Sequence, residues 1–89
     1  MTVKTIIAAA DTIRIRLDGA IPPEAQARVI VFSPILADEV EPLAILSPDA
    51  EGDTLTVSRF ACGRDGVCLS YGVQVDDELL EGVQYAEVI

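Results

Sequence analysis

The chain has 89 residues, among them 15 acidic and 6 basic side chains, and carries a formal net charge of −9 at pH 7. This length suits one hydrophobic core, so a single domain spanning residues 1–89 is expected. Hydrophobic residues make up 51% of the chain, and this composition excludes an intrinsically disordered protein. Histidine is absent, which removes the commonest general base and the commonest metal ligand.

The acidity is concentrated in the C-terminal part of the chain. Residues 1–35 carry four basic and three acidic side chains, whereas residues 36–89 carry two basic and twelve acidic ones. Direct nucleic-acid binding is not expected, because that affinity comes chiefly from Lys and Arg. Two interpretations of the charge stay open: it keeps an apolar domain in solution, or it forms an acidic surface that mimics nucleic acid.

The chain is not expected to enter a membrane. Its longest uncharged stretch, residues 66–75, has ten residues, and a helix needs about 20 to cross a bilayer. The apolar run at residues 6–10 is also too short for the core of a secretory signal. We therefore expect synthesis and folding in a cytoplasm.

Strands are predicted along the first third of the chain. A less regular strand at residues 2–9 precedes the clearest one, residues 11–18, in which Ile13, Ile15 and Leu17 alternate with polar residues. The pair Pro22-Pro23 ends this region in a turn, because proline lacks the backbone donor that a sheet requires. The next strand, residues 28–33, is apolar on both faces and is expected to be covered on both sides.

The rest of the chain continues the same pattern. Ser33 and Pro34 could begin a short helix over residues 35–41, although a loop or irregular strand fits equally well. A brief apolar stretch at 43–46 and a turn at 47–53 follow, and strands are predicted at 53–60, 67–75 and 82–89. The sequence Gly-Arg-Asp-Gly at 63–66 predicts a hairpin turn with Arg64 and Asp65 at an exposed tip.

Six to seven short strands with at most one or two short helical turns indicate an all-β fold. The predicted architecture is a small antiparallel β-sandwich or a partly open barrel.

The two cysteines flank the predicted hairpin turn. If the loop has five residues, Cys62 and Cys68 face each other across it, and a disulfide is one interpretation. The other is that at least one is a buried, inert thiol. Zinc binding is not expected, because a structural zinc site takes four Cys or His ligands and the chain has two.

The acidic residues do not form a calcium loop. Asp49, Glu51 and Asp53 have the alternate spacing of such a loop, but Thr54 stands where a glycine is needed and Phe60 where the last carboxylate is needed. No metal and no cofactor are therefore expected.

Catalysis is not expected either. An enzyme of this size needs a nucleophile beside a base, or paired carboxylates in a cleft, and no such pattern is present. The six glycines are spread singly, so no phosphate-binding loop is formed. We predict no catalytic residue.

The apolar strand at 28–33 and the residues after it point to an interface. Ile30, Phe32, Ile35 and Leu36 add apolar area beyond what the other strand faces already supply. Either a loop covers these side chains or another protein subunit packs on them. Self-association or membership of a larger assembly is the expected consequence.

A longer pattern runs through most of the chain. It consists of the alternating strand at 12–17, the pair Glu39-Val40, and a series at the spacing G-x-x-L-T-V-x-R-x-x-x-G, followed by G-x-x-V: Gly52, Leu55, Thr56, Val57, Arg59, Gly63, Gly72 and Val75. In this pattern residues 9–75 resemble a small β-module of tailed-bacteriophage structural proteins, found in tail, baseplate, fibre and head-associated subunits. The resemblance implies a virion protein that acts by packing against other subunits and has no catalytic residues.

The sequence thus favours a non-enzymatic structural subunit, a head decoration or a tail or baseplate component of a phage particle. The alternative is an acidic inhibitor that mimics nucleic acid and blocks a host nucleic-acid-binding enzyme. An antitoxin-like binding partner is a third, weaker interpretation.

Overall fold

The computed structural model describes residues 1–33 and 42–88, which form two β-sheets. The ten strands are β1 Thr2–Ala8, β2 Thr12–Leu17, β3 Ala27–Phe32, β4 Ala44–Leu46, β5 Asp49–Glu51, β6 Thr54–Ser58, β7 Ser70–Val75, β8 Glu78–Leu79, β9 Glu81–Gly82 and β10 Glu87–Val88. The predicted helical turn or loop at 35–41 lies outside the described residues, as do Ile35 and Leu36.

The larger sheet has six strands, in the order β10-β1-β2-β6-β5, with β9 also paired to β1. Its centre is antiparallel, and both C-terminal strands pair with β1 in parallel. The period-two pattern of β2 explains its position, because Ile13, Ile15 and Leu17 all face the core and are completely or almost completely buried.

The smaller sheet has four antiparallel strands, in the order β4-β3-β7-β8. Here the inward positions are Val29 and Val31 of β3 and Tyr71 and Val73 of β7, all buried. These side chains join those of the larger sheet in one continuous hydrophobic core.

The all-β prediction is confirmed: the described residues form two separate sheets that do not close into a barrel. The only helical element among them is one 3₁₀ turn, Gly66–Cys68. The predicted strand count was low because β5, β8, β9 and β10 have only two or three residues, too few to show a periodicity. The predicted turn at 47–53 contains β5, and the predicted final strand at 82–89 is divided into the end of β9, a bridge at Tyr85 and β10.

The predicted hairpin at residues 63–66 is wrong. β6 belongs to the six-stranded sheet and β7 to the four-stranded sheet, so residues 59–69 cross from one sheet to the other. The strand after the crossing begins at Ser70, not at Val67.

The C-terminal segment connects the edges of the two sheets. Its strands β9 and β10 lie along β1, while the backbone N–H of Tyr71 donates to the carbonyl of Gln84 (2.8 Å) and Ser70 forms a bridge with Tyr85. At Gly82 the backbone has a φ of 129°, and a Cβ there would collide with the backbone of Val3. This close approach explains why a glycine occupies the position.

The contact at Gly82 predicts a difference between two glycine variants. Gly52 also has positive φ (61°), but nothing lies within 4 Å of the position of its Cβ. Gly52→Ala should cost about 1–2 kcal/mol for left-handed backbone alone. Gly82→Ala should cost more, because Val3 must also move. Urea unfolding of both variants measures this, and equal losses would contradict the close packing of the segment on β1.

Candidate interaction surfaces

The outward side of the four-stranded sheet carries a row of apolar side chains. Ile30 lies between its cross-strand partners Ile45 and Gly72, and Leu79 extends the row from the edge strand β8. Ile45 is 60% exposed and Leu79 is 62% exposed. Large apolar side chains at neighbouring strand positions therefore face outward rather than into the core.

Because Gly72 has no side chain, the apolar side chains around it approach one another and form one patch. A Cβ at Gly72 would lie 3.6 Å from Leu79 Cδ1, 3.7 Å from Phe32 Cε2 and 3.9 Å from Ile30 Cβ, so these three side chains converge above it. We call the surface formed by Ile30, Phe32, Ile45 and Leu79 the sheet face. It is a contiguous patch, and contiguous exposed apolar patches on proteins commonly mark binding surfaces.

The sheet face differs from the outward side of the six-stranded sheet. The outward positions of β3, β4 and β7 hold one charged side chain, Arg28, and no carboxylate. The outward positions of β2 and β6 hold only arginine and hydroxyl side chains: Thr12, Arg14, Arg16, Thr54, Thr56 and Ser58. The outward positions of β2 and β6 are thus polar, whereas those of the four-stranded sheet are mainly apolar.

Two of the four predicted interface residues, Ile30 and Phe32, lie on the sheet face and are half-buried. Ile35 and Leu36 lie outside the described residues. The sequence prediction missed Ile45 and Leu79. For Leu79 there was a signal, since Leu79 and Leu80 are adjacent in a strand region and only one can face the core; Leu80 does, with 8% exposure.

A second feature lies at the crossing between the sheets, where Arg59 holds the chain. Its Nε and Nη2 donate to the two carboxylate oxygens of Asp65, at 2.7 and 3.0 Å. Its Nη1 donates to the backbone carbonyl of Ala9, at 2.7 Å, in the turn between β1 and β2. Arg59 therefore connects two loops that are 50 residues apart in the chain.

Asp65 and Gly66 complete this arrangement. Asp65 caps the 3₁₀ turn by accepting a hydrogen bond from the N–H of Val67 (3.1 Å), and Gly66 N–H donates to the carbonyl of Arg59 (2.7 Å). The hydroxyl of Tyr71 donates to the carbonyl of Gly66 at 2.7 Å. Gly66 is needed here because a side chain would collide with the Tyr71 hydroxyl and the Arg59 carbonyl.

These contacts perturb two ionisable groups. The hydrogen bonds from Arg59 and from the Val67 N–H lower the pKa of Asp65 below its usual value. Burial raises the pKa of Tyr71 to about 12, so its phenol stays protonated and remains a hydrogen-bond donor.

Arg64 and Asp65 were both predicted at an exposed tip, but only one of them is exposed. Arg64 is exposed, whereas Asp65 is half-buried and bound by Arg59. Cys62 is half-buried against the core and Cys68 is exposed, so neither is a fully buried thiol. The disulfide between them stays a prediction.

The charged side chains are distributed unevenly between the two ends of the sandwich. One end consists of the turns and strand ends at residues 18–26, 51–53 and 76–81, and we call it the acidic end. It carries eight carboxylates and three nearby cations, a net charge of −5: Asp18, Glu24, Glu51, Asp53, Asp76, Asp77, Glu78 and Glu81, with Lys4, Arg16 and Arg28.

The opposite end, formed by residues 9–11, 59–69 and 85–88, is called the loop end. These segments carry the three carboxylates of Asp11, Asp65 and Glu87 and the two cations of Arg59 and Arg64, a net charge of −1. β3 also ends and β4 also begins at this end, and the eight residues 34–41 between them, which include three carboxylates, lie outside the described residues. The strand pairings place these segments together, since Ala8 is opposite Val88 and Ser70 is opposite Tyr85.

The described residues contain no group of three or more His, Cys, Asp or Glu side chains that could hold a metal ion. An open groove of about 550 Å³ between the sheets has only two carboxylates in its lining, those of Asp11 and Asp49. None of the helical structure in the described part of the chain is long and apolar enough to cross a membrane.

No family model matches the chain, and no curated protein or solved structure matches it either. The functional argument therefore depends on the surfaces described above.

The ion pair between Arg59 and Asp65 predicts a pH-dependent stability. Because the pKa of Asp65 is lowered in the folded state, its stabilising effect is present above the unfolded pKa of about 3.9 and is lost as the pH falls through the folded pKa. Asp65→Asn should therefore unfold at lower urea concentration than the natural chain at neutral pH, and the gap should narrow below about pH 4.

Asp77→Asn, which removes an exposed carboxylate at the acidic end, is the control and should change stability little at neutral pH. A gap for Asp65→Asn that stays constant down to strongly acidic pH would show that the carboxylate charge does not stabilise the crossing.

Proposed function

We propose that this protein is a non-enzymatic structural subunit that assembles by packing its sheet face against the sheet face of a second copy. The observation that carries the proposal is the composition of that face: exposed Ile45 and Leu79 continue the row of Ile30 and Phe32, and no carboxylate interrupts it. In a chain of net charge −9, a surface of this kind has to be explained.

The apolar area gives the driving force. Burial of an exposed Ile or Leu side chain is worth about 1.5–3 kcal/mol, and a symmetric contact buries each side chain twice. Two four-stranded sheets can pack face to face in the same way as the two sheets within the molecule, with about 10 Å between them. The face is therefore suited to contact with an identical one.

The charge distribution supports a second copy as the occupant. Two sheet faces bring together no carboxylates from their outward strand positions, and the one cation on each face, Arg28, lies beside the polar Gln74 on the neighbouring strand. Two acidic ends, in contrast, would repel each other strongly. Of the outward sides of the two sheets, the sheet face is the one on which two copies bring the fewest like charges together.

The place of this subunit in a phage particle, as a head decoration or a tail or baseplate component, rests on the resemblance of residues 9–75 to phage structural modules. Packing of identical subunits through a β-sheet surface is what such a component needs. Made in a bacterial cytoplasm, the protein would become part of the virion.

The acidic end favours a second candidate function, an inhibitor that occupies a basic nucleic-acid channel in a host enzyme. The two candidates use different surfaces. Asp76→Asn with Asp77→Asn should weaken an electrostatic inhibitor but leave self-association through the sheet face intact.

The sheet-face variant Ile45→Thr with Leu79→Ser tests the proposal. Both residues are mostly exposed, so folding should be retained, while the dissociation constant of the sheet-face contact should rise at least about a hundredfold. Sedimentation velocity over a range of concentrations measures the association, and circular dichroism confirms the fold.

Val83→Ser is the matched control, because Val83 is 40% exposed and lies outside the sheet face. It should leave the association unchanged. Equal association by the natural chain, the control and the sheet-face variant would contradict the proposal, and so would a natural chain that stays monomeric at all concentrations.

A further inference from the structure

We propose that the loop end is a second contact surface between copies of this chain, so that each subunit meets one neighbour through its sheet face and another through its loop end. This inference rests on the proposed function, because a subunit with one symmetric contact stops at a dimer. The loop end supplies what a larger assembly additionally requires.

Exposed apolar side chains are concentrated at the loop end. Phe60 is 53% exposed, Tyr85 is 58% exposed and Val88 is 63% exposed. Phe60 and Tyr85 are also the two most exposed of the four aromatic residues in the chain. Aromatic residues and arginine are the types that are enriched in protein interfaces, and Arg64 is exposed on the same end.

The topology brings these residues together although they are distant in sequence. Phe60 and Arg64 follow β6, which ends beside the start of β2, next to the turn that joins β1 and β2. Tyr85 bridges to Ser70 at the start of β7, and Val88 pairs with Ala8 at the end of β1. All of these positions belong to one end of the sandwich.

The backbone that presents Phe60 is already ordered. The guanidinium of Arg59 lies over the Phe60 ring, 5.7 Å from its centroid, and the same guanidinium is held by Asp65 and by the carbonyl of Ala9. Association usually loses affinity because loops and side chains must be immobilised. Here the hydrogen bonds of Arg59 already hold the loop within the subunit, so less conformational entropy is lost when the loop end binds.

The charges point to a second copy as the occupant. Contact between two loop ends points the acidic ends, each with a net charge of −5, away from each other, and so avoids the strongest repulsion among the described residues. The strands between the ends keep this charge apart: β2, with six residues, spans about 20 Å, roughly twice the screening length in physiological salt.

The loop end also exposes charges of both signs, so two copies can pair opposite charges there. Arg64 has no salt-bridge partner among the described residues, and the carboxylates of Asp11 and Glu87 are exposed at the same end. In a symmetric contact, Arg64 of each copy can pair with one of these carboxylates in the other copy.

A set of three variants tests the inference separately from the proposed function. The loop-end variant is Phe60→Ser with Arg64→Ser, the sheet-face variant is the one described above, and the third variant combines the two. The natural chain should form assemblies larger than a dimer, each single-surface variant should stop at a dimer, and the combined variant should be monomeric in sedimentation velocity.

The position of Cys68 distinguishes the two dimers. In a Cys62→Ala background, a spin label on the exposed Cys68 reports the loop end. The distance between labels should be shorter in dimers of the sheet-face variant, which meet by their loop ends, than in dimers of the loop-end variant. Val83→Ser changes an exposed residue outside both surfaces and should not alter assembly.

Each failure has its own meaning. If the loop-end variant assembles like the natural chain while the sheet-face variant is monomeric, the second contact is overturned and the proposed function stands. If the loop-end variant is monomeric and the sheet-face variant assembles like the natural chain, the sheet-face contact is overturned instead. A natural chain that stops at a dimer overturns the second contact as well.

Discussion

The burial of every second side chain in the central strands of both sheets is the constraint from which the surfaces of this molecule follow. Ile13, Ile15 and Leu55 on one sheet and Val29 and Val73 on the other have no exposed area. Because side chains in a strand alternate between its two faces, this choice also determines which residues point outward. β3 has apolar residues at its inward positions and also at two of its outward positions, Ile30 and Phe32. The strand that contributes to the core therefore also places apolar side chains on the sheet face.

The charge of the chain is compatible with assembly because of where it lies. A net charge of −9 opposes association of identical subunits, but in the described residues most of the excess is at the acidic end. The sheet face carries no carboxylate at its strand positions. The sheet face is therefore a surface on which copies can meet with little like-charge repulsion from the described residues.

The parts of the fold that depend on local pattern could be predicted from the sequence, and the parts that depend on distant contacts could not. The strand at Thr12–Leu17 was evident because six residues show three complete alternations. The crossing at 59–69 was mistaken for a hairpin because Gly-Arg-Asp-Gly is a turn sequence in either case. Arg59 holds this crossing, and its bond to the carbonyl of Ala9 joins segments 50 residues apart, so the sequence around the turn carries no sign of it.

The same distinction applies to the candidate interface. Ile30 and Phe32 could be identified because they interrupt the polar positions expected on an exposed strand face. Ile45 and Leu79 could not, since their outward direction depends on the registers of Ile45 with Ile30 and of Leu79 with Gln74. A short strand of two or three residues does not show in its own sequence which side of a sheet it faces.

The central claim is that the subunits are held together by apolar surface and not by their charge. The most direct measurement is the average mass of the natural chain by sedimentation equilibrium at low and at high salt concentration. Association that persists or strengthens at high salt is the result predicted here, because salt screens the repulsion between acidic chains and leaves apolar burial in place. Association that disappears as salt is raised would contradict the claim.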